Sequence, residues 1–326
     1  DRWTGIYANP GQKGSAWERP TSVEMIHPDG TKGFHVNAGI RIRGGFSRSG
    51  SNPKHSFRLF FREEYGNSRL NYAFFGNSGA SVFDNIDLAT WQNHSWSFSL
   101  GTNGLFFRDH FCRDTQLAMG HQGERGIFCH LYINGQYWGI FSPSERTEAA
   151  YGASYFGGSK SDYDVIKATG PPSYLIESTD GDMEAWTRLW QMATNGFASD
   201  AAYQQAQGNN PDGTRNPAYE VLLDVPNLID YMLIVLYGGS RDGPLGAAGT
   251  IPNNFFALRK RDNSMGFQFF VHDFEHTLLA TNENRTGPYT AGSPSGGGLM
   301  RSNPQYLWQQ LQQNENFRMR VADHVH

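Results

Sequence analysis

Two strand-like runs, residues 127–133 and 136–141, are separated only by Asn134-Gly135. Asn-Gly supplies the two positive-φ residues of a type I′ turn, whose twist matches that of the strands it joins, so this stretch is committed to a two-residue β-hairpin. The N-terminal third offers more strands. Gly39-Ile40-Arg41-Ile42-Arg43 alternates and ends at Gly44-Gly45; Ser56-Phe57-Arg58-Leu59-Phe60-Phe61 reads as a second strand and Asn85-Ile86-Asp87-Leu88 as a third.

Helical signals dominate later. Residues 105–119 predict a helix closed by Gly120, with Leu105, Phe106, Cys112, Leu117 and Met119 on its buried side. Met183, Trp186, Leu189 and Trp190 make one apolar helical stripe, and residues 203–207 continue the helical region. Pro226 suits the first turn of a helix that runs to Tyr237, capped at Asp224 or Val225 and stopped by Gly238-Gly239. Strands are expected at 254–259 and 266–271, then a long Gly/Ser/Pro/Thr segment at 280–303 and one last helix from Pro304 to the end. The fold class is therefore α+β, antiparallel and β-rich in the N-terminal part (about 1–145) and mainly helical in the C-terminal part (146–326).

Composition narrows the function. With 38% hydrophobic and 18% charged residues the chain is globular. A net charge of −4 argues against nucleic acid as the main partner. The longest apolar run, 228–237, is too short to span a membrane. The abrupt ends read as a piece excised from a longer protein. For Cys112 and Cys129 a disulfide and two free thiols are equal alternatives, and metal binding by the pair is disfavoured without a CxxC or His cluster.

The densest chemistry lies in the order helix, Ser240-Arg241-Asp242-Gly243, loop, Asn253-Asn254, strand, turn, strand, His272-Asp273-Phe274-Glu275. Asp242 and Asp273 stand where regular structure ends, and a hairpin brings Asn254 near Asp273, while a long Gly/Ala loop separates Asp242 from Asn254. Two carboxylates and an amide oxygen are hard ligands suited to Mg²⁺ or Mn²⁺. Kinases use one Asp to orient the acceptor hydroxyl and an Asn and a second Asp to hold metal against phosphates. Any one of these residues alone is better explained as a cap or turn bond; the order and spacing together favour a site. Other candidates carry less. Gly44-Gly45-Phe46-Ser47-Arg48-Ser49-Gly50 is a glycine-rich turn without the Gly-Lys-Ser/Thr of a P-loop. Asp180-Gly181-Asp182-Met183-Glu184 reads as a helix N-terminus rather than a calcium loop. His272 and His276 add only a weak metal signal, and Trp91, Trp96 and Trp138 are core aromatics before they are a sugar-stacking platform.

A resemblance runs through the same residues. Gly39-Ile40-Arg41-Ile42-Arg43-Gly44, Asn52-Pro53-Lys54-His55-Ser56-Phe57-Arg58-Leu59, Phe107-Arg108-Asp109, Leu131-Tyr132-Ile133-Asn134-Gly135-Gln136-Tyr137-Trp138-Gly139-Ile140 with Glu145, and Asp242 through Asn254 to Asp273 stand in the order of the CotH kinase family, which the chain resembles. The resemblance implies an atypical protein-kinase-like fold and ATP-dependent phosphorylation of Ser or Thr in a protein. It implies Asp242 as the catalytic Asp, Asn254 and Asp273 as ligands of Mg²⁺ or Mn²⁺, and Lys54, Arg58 and Glu145 on the nucleotide side. His272 replaces an aromatic residue, His55 replaces a lysine, and residues 243–253 form a longer connection than usual. The likeness is to the extracellular bacterial branch. It implies a secreted or cell-surface protein whose partner is a protein substrate or an extracellular assembly. A catalytically inactive, structural or adhesive module is the alternative, and a glycoside hydrolase, which needs two carboxylates flanking a sugar groove, is third.

Overall fold

The computed structural model describes residues 2–91, 93, 104–288 and 298–326. The chain is mixed α/β, and its contacts divide it into two compact units: Asp1–Phe106 with Glu124–Arg146, and Phe107–Gly123 with Thr147–His326. The segment that carries the first long helix thus packs with the second unit, although the first unit flanks it on both sides in sequence.

The first unit is built on one antiparallel sheet. Its strands are β1 (Arg19–Glu24), β2 (His35–Ile42), β3 (Phe57–Phe60), β6 (Asn85–Ala89), β7 (Cys129–Ile133) and β8 (Gln136–Ser144), in the spatial order β1-β2-β3-β6-β8-β7; β4 (Leu70–Asn71) and β5 (Val82–Phe83) form a small separate ladder. The Asn134-Gly135 hairpin forms as the sequence dictates: both residues have positive φ (52° and 78°), and Ile133 pairs with Gln136. The buried side is aromatic and aliphatic, with Ile42, Phe57, Leu59, Ile86 and Phe141 at its centre. Trp91 is buried and Trp138 packs edge-on against Tyr7, which places both in core packing; Trp96 lies outside the described residues. Cys129 and Cys112 are both free thiols.

The second unit contains a four-stranded antiparallel sheet, β10-β9-β11-β12 (β9 Tyr163–Ala168, β10 Ile176–Asp180, β11 Phe255–Lys260, β12 Met265–Val271). Its helices are α1 (Arg108–Ala118), α2 (Ala149–Phe156), α3 (Glu184–Asn195), α4 (Asp200–Ala206), α5 (Val225–Gly238), α6 (Pro304–Leu311) and α7 (Glu315–Val325). The α3 stripe buries Trp186, Leu189 and Trp190, and Trp186 meets Phe267 edge-on at 5.1 Å while its indole N–H donates to Ser302 Oγ at 2.6 Å. Helix α5 begins where Asp224 accepts from the Asn227 N–H and ends at Gly239 in the left-handed conformation. No described helix is long and apolar enough to cross a membrane.

Three expectations change. The last helix is two, because Asn314 interrupts the run and caps α7 by accepting from the Phe317 N–H. The β9–β10 hairpin and α2 carry no strong periodic signal and were not expected. Most telling, the buried face of α1 is polar: Asp109, Arg113 and Gln116 are buried with Cys112, whereas Leu105 is exposed.

Packing in this unit is tight enough to test at one glycine. A Cβ at Gly152 in α2 would lie 2.7 Å from the ring of Tyr163, which is fully buried in β9. Gly152→Ala is therefore expected to destabilise the fold by ~1–3 kcal/mol through overpacking, despite alanine's better helix propensity. Equilibrium urea unfolding of the two proteins measures it, and an unchanged or raised midpoint would count against this packing.

Candidate functional site

The second unit brings Asp242, Asn254 and Asp273 together. Helix α5 ends at Gly239, and the Ser240 N–H donates back to Val235 O, which turns the chain sharply out of the helix. The Arg241 N–H then donates to His276 O at 3.0 Å, so the chain runs beside the segment after β12. Gly243 follows Asp242 because nothing larger fits. A Cβ there would sit 2.4 Å from the Phe274 ring and 2.9 Å from Asn254 O.

The loop that follows closes on itself. Leu245 bridges Pro252, Gly246 N–H donates to Ile251 O at 3.0 Å and Asn253 N–H donates to Pro244 O at 2.8 Å. The Arg285 guanidinium clamps its outer side by donating to the carbonyls of Leu245, Gly246 and Ala247. Closure returns Asn254 to Asp242, and its amide Nδ2 donates to Asp242 Oδ2 at 3.0 Å and to the backbone carbonyl of Asp273 at 3.4 Å. The long connection therefore does not separate Asp242 from Asn254. It makes them the directly bonded pair, while Asp273 joins through its main chain.

The site is built on unusual backbone. Asn254 and Asp273 have φ of 42° and 59°, and two bulky neighbours, Tyr174 and Leu278, have φ of 46° and 53°. Positive φ is tolerable for Asn and Asp and costly for Tyr and Leu, and such residues concentrate where structure serves a function. Asp242, Asn254 and Asp273 are each half-buried.

Electrostatics adds a second signal. Burial, followed by the negative charge of Asp273, pushes the Asp242 carboxyl up to about 6, against hydrogen bonds from Asn253 and Asn254 and the charge of Arg285. Burial also raises Asp109, whose fully buried carboxylate pairs with Arg113 at 2.7 Å and accepts from the Phe274 N–H at 2.7 Å, with Asp273 again adding to the shift. Negative charge is thus crowded around Asp273.

A divalent cation fits this donor set. Asn254 spends its N–H group on Asp242 and keeps its amide oxygen as an acceptor, and no hydrogen bond from a described residue reaches the Asp273 carboxylate. Among the described residues no three His, Cys, Asp or Glu side chains form a complete metal cage. Mg²⁺ rarely needs one, since it is commonly held by one or two carboxylates plus substrate phosphates and water. His272 does not join as a ligand candidate; it is buried edge-on against Phe256 at 4.8 Å. Asp182 accepts from the Glu184 N–H and pairs with Arg261 at 2.7 Å, as a helix entry does.

The remaining sequence candidates lie in the first unit, each with a partner of its own. Lys54 Nζ donates to Ile140 O at 2.7 Å and rests 4.5 Å from the centre of the Phe141 ring; burial lowers its pKa to about 8. Arg58 stands opposite Asp87 in the β3–β6 ladder and forms a two-pronged bond with it, at 2.5 and 3.1 Å. Glu145 is buried and accepts from the Arg125 N–H at 2.9 Å. Asp87, Arg43 and Arg146 had no place among the expected site residues, yet Arg43 and Arg146 also approach Asp87, at 3.1 and 3.9 Å. Arg48 is crowded by Arg41, Arg43 and Arg58, and burial first and then their charges lower its pKa to about 10. Three arginines thus converge on one carboxylate in this cluster. Alternating Arg at 41, 43 and 58 was the legible sign of it; the shared carboxylate was not.

None of the curated proteins matches the chain. A family model described as CotH kinase protein matches residues 40–326, which takes in every residue of both clusters just described. By that match over nearly its whole length, the chain belongs to the CotH kinase protein family.

Proposed function

We propose that this chain is an atypical, kinase-like phosphotransferase domain that uses ATP and Mg²⁺ or Mn²⁺ to phosphorylate Ser or Thr hydroxyls of a protein. Family membership supports a kinase-like domain. The observation that carries the finer reading is the convergence of Asp242, Asn254 and Asp273, with Asn254 and Asp273 at positive φ, an unspent amide oxygen, and an Asp273 carboxylate that no described residue hydrogen-bonds amid crowded negative charge.

Asn254 and Asp273 would hold the cation, which when bound neutralises phosphate charge and orients the phosphoryl group. Asp242 is fixed by Asn254 and takes the role of orienting the acceptor hydroxyl and receiving its proton. Lys54, Arg58 and Glu145 keep the nucleotide-side roles that the family pattern implies. The gathering of Arg43, Arg58 and Arg146 at Asp87 is the feature of the first unit that supports an anion-side role. A secreted or cell-surface setting, in the manner of the bacterial extracellular branch, is part of the same proposal.

The test is calorimetric titration of ATP with and without Mg²⁺. Asp273→Ala is expected to weaken Mg²⁺-dependent ATP binding by more than about 100-fold, beyond the range seen when only an outer-shell contact is lost. Equal affinity in the two proteins would sink the metal assignment. A second reading, an inactive module that keeps the fold, is favoured by the engagement of Lys54 with a carbonyl and an aromatic ring and of Arg58 with Asp87. It predicts no nucleotide-induced thermal shift in the wild-type protein.

A further inference from the structure

Helix α1 turns a polar face inward, and Gln116, Cys112 and Asp109 on that face bond β12 and the turn around Asp273. Gln116 donates to Phe269 O at 2.7 Å and accepts from the Val271 N–H at 3.0 Å, which pins the end of β12. Cys112 Sγ donates to Thr277 Oγ1 at 3.6 Å, and that hydroxyl donates in turn to Phe274 O at 2.9 Å. Asp109 Oδ1 accepts from the Phe274 N–H at 2.7 Å, and its other oxygen meets Arg113. The spacing 109, 112, 113, 116 is one helical face. It reads the backbone of β12 and the following turn like a ruler.

Two members of this face do the same backbone job with different chemistry. Gln116 satisfies buried main-chain groups with a neutral amide, which is sufficient for that purpose. Asp109 uses a fully buried carboxylate, which is expensive to bury and needs Arg113 to compensate. The extra cost falls at one peptide unit, the one that joins Asp273 to Phe274. Asp273 has φ of 59°, a conformation open to Asp but not its default, so a bond at the next amide helps to hold it. A charge-assisted bond to the next N–H is stronger than a neutral one and fixes the torsion that aims the Asp273 side chain. It also holds a second negative charge close to Asp273.

We propose that Asp109 is a positioning residue that holds Asp273 in its cation-binding conformation through the Phe274 amide, so that α1 sets the divalent-cation affinity of the site. The inference rests on the reading of Asp273 as a metal ligand. Its test is Mn²⁺ titration of the whole chain with a non-hydrolysable ATP analogue present, followed by the electron paramagnetic resonance of free Mn²⁺. Asp109→Ala is expected to weaken Mn²⁺ binding about 10- to 100-fold, the usual cost of losing an outer-shell partner. Asp109→Asn keeps an acceptor for the Phe274 N–H without the charge, and it should fall between Asp109→Ala and wild type. It is the variant that decides the matter should the alanine protein fail to fold. Gln116→Ala, on the same helix face, should lower thermal stability yet leave Mn²⁺ affinity within about threefold of wild type.

The outcomes separate the two ideas. Asp273→Ala binding Mn²⁺ like wild type overturns the metal reading and the role of Asp109 with it. Asp273→Ala losing Mn²⁺ while both Asp109 variants bind normally overturns the role of Asp109 alone. Equal loss of affinity in the Gln116 and Asp109 variants reduces Asp109 to general packing and also overturns the proposal.

Discussion

Asp87→Ala is expected to destabilise the first unit by about 3–5 kcal/mol, the cost of stripping one partner from a buried ionic cluster. Asp87 is buried, and Arg43, Arg58 and Arg146 converge on it at 3.1, 2.5 and 3.9 Å. Without its carboxylate those guanidiniums repel one another in a space that water reaches poorly. Burial alone would raise the Asp87 pKa; the three arginines override it and hold the carboxyl well below its ordinary 3.8. A depressed folded pKa stabilises the protein above the unfolded value and loses that effect as pH falls. The stability difference between wild type and Asp87→Asn is therefore expected to be constant near neutrality and to shrink progressively once the pH drops below about 4. Urea unfolding across that range, read by hydrogen exchange in residues 57–60 and 85–89, measures both effects. A loss under about 1 kcal/mol for Asp87→Ala, or a difference that grows in acid, would show that the arginines are held by something else.

Much of the scaffold was legible because its signals are local. Asn134-Gly135 adopts positive φ at both residues, Asp224 caps α5, and Gly239 ends it. Strands β11 and β12 fall within a residue of the expected bounds at each end. The failures share a physical cause. Hydrophobic periodicity finds a helix by its apolar stripe, and α1 buries Asp109, Arg113 and Gln116 beside Cys112, so the apolar residues marked only a small part of the buried face. The final helix reads as continuous in sequence because Asn314 is a weak breaker; only its side chain capping Phe317 divides the run.

The site was legible as residue types and only partly as geometry. Its members stand at the ends of regular elements, which sequence can locate. The closure that joins Asp242 to Asn254 depends on Leu245 bridging Pro252, on Arg285 reaching back from far along the chain, and on the lack of a side chain at Gly243. None of these leaves a periodic trace. The destinations of Lys54 and Arg58 were invisible for the same reason, since a carbonyl in β8 and a carboxylate in β6 claim them through tertiary contact. Such competing partners at positions that a motif assigns to a ligand are where motif and geometry must be weighed by experiment.

Asp242→Asn is expected to lower the rate of phosphoryl transfer by about 10²–10⁴-fold, the usual contribution of a positioned general base, while Mg²⁺-dependent ATP affinity stays within about threefold of wild type. The substitution is close to isosteric, and the new side-chain carbonyl can still accept from Asn254 Nδ2, so the bond that ties the two residues at 3.0 Å survives. What disappears is the capacity to take a proton from the acceptor hydroxyl and the negative charge that burial and Asp273 make costly. Relief of that repulsion would favour folding, so a loss of rate in a protein of equal or greater thermal stability could not be ascribed to damage. Asp273→Ala should behave in the opposite way, with binding itself lost. Single-turnover transfer from labelled ATP to a Ser/Thr peptide mixture, paired with calorimetric ATP titration, separates the two variants. Transfer at the wild-type rate in Asp242→Asn removes Asp242 from the chemistry. A wild-type protein that binds ATP but transfers no phosphate leaves Asn254 and Asp273 as a nucleotide site and removes the phosphotransfer from the proposal. The decisive pattern is a fall in the single-turnover rate with Asp242 and in affinity with Asp273, because a merely structural role for either residue would move both quantities together.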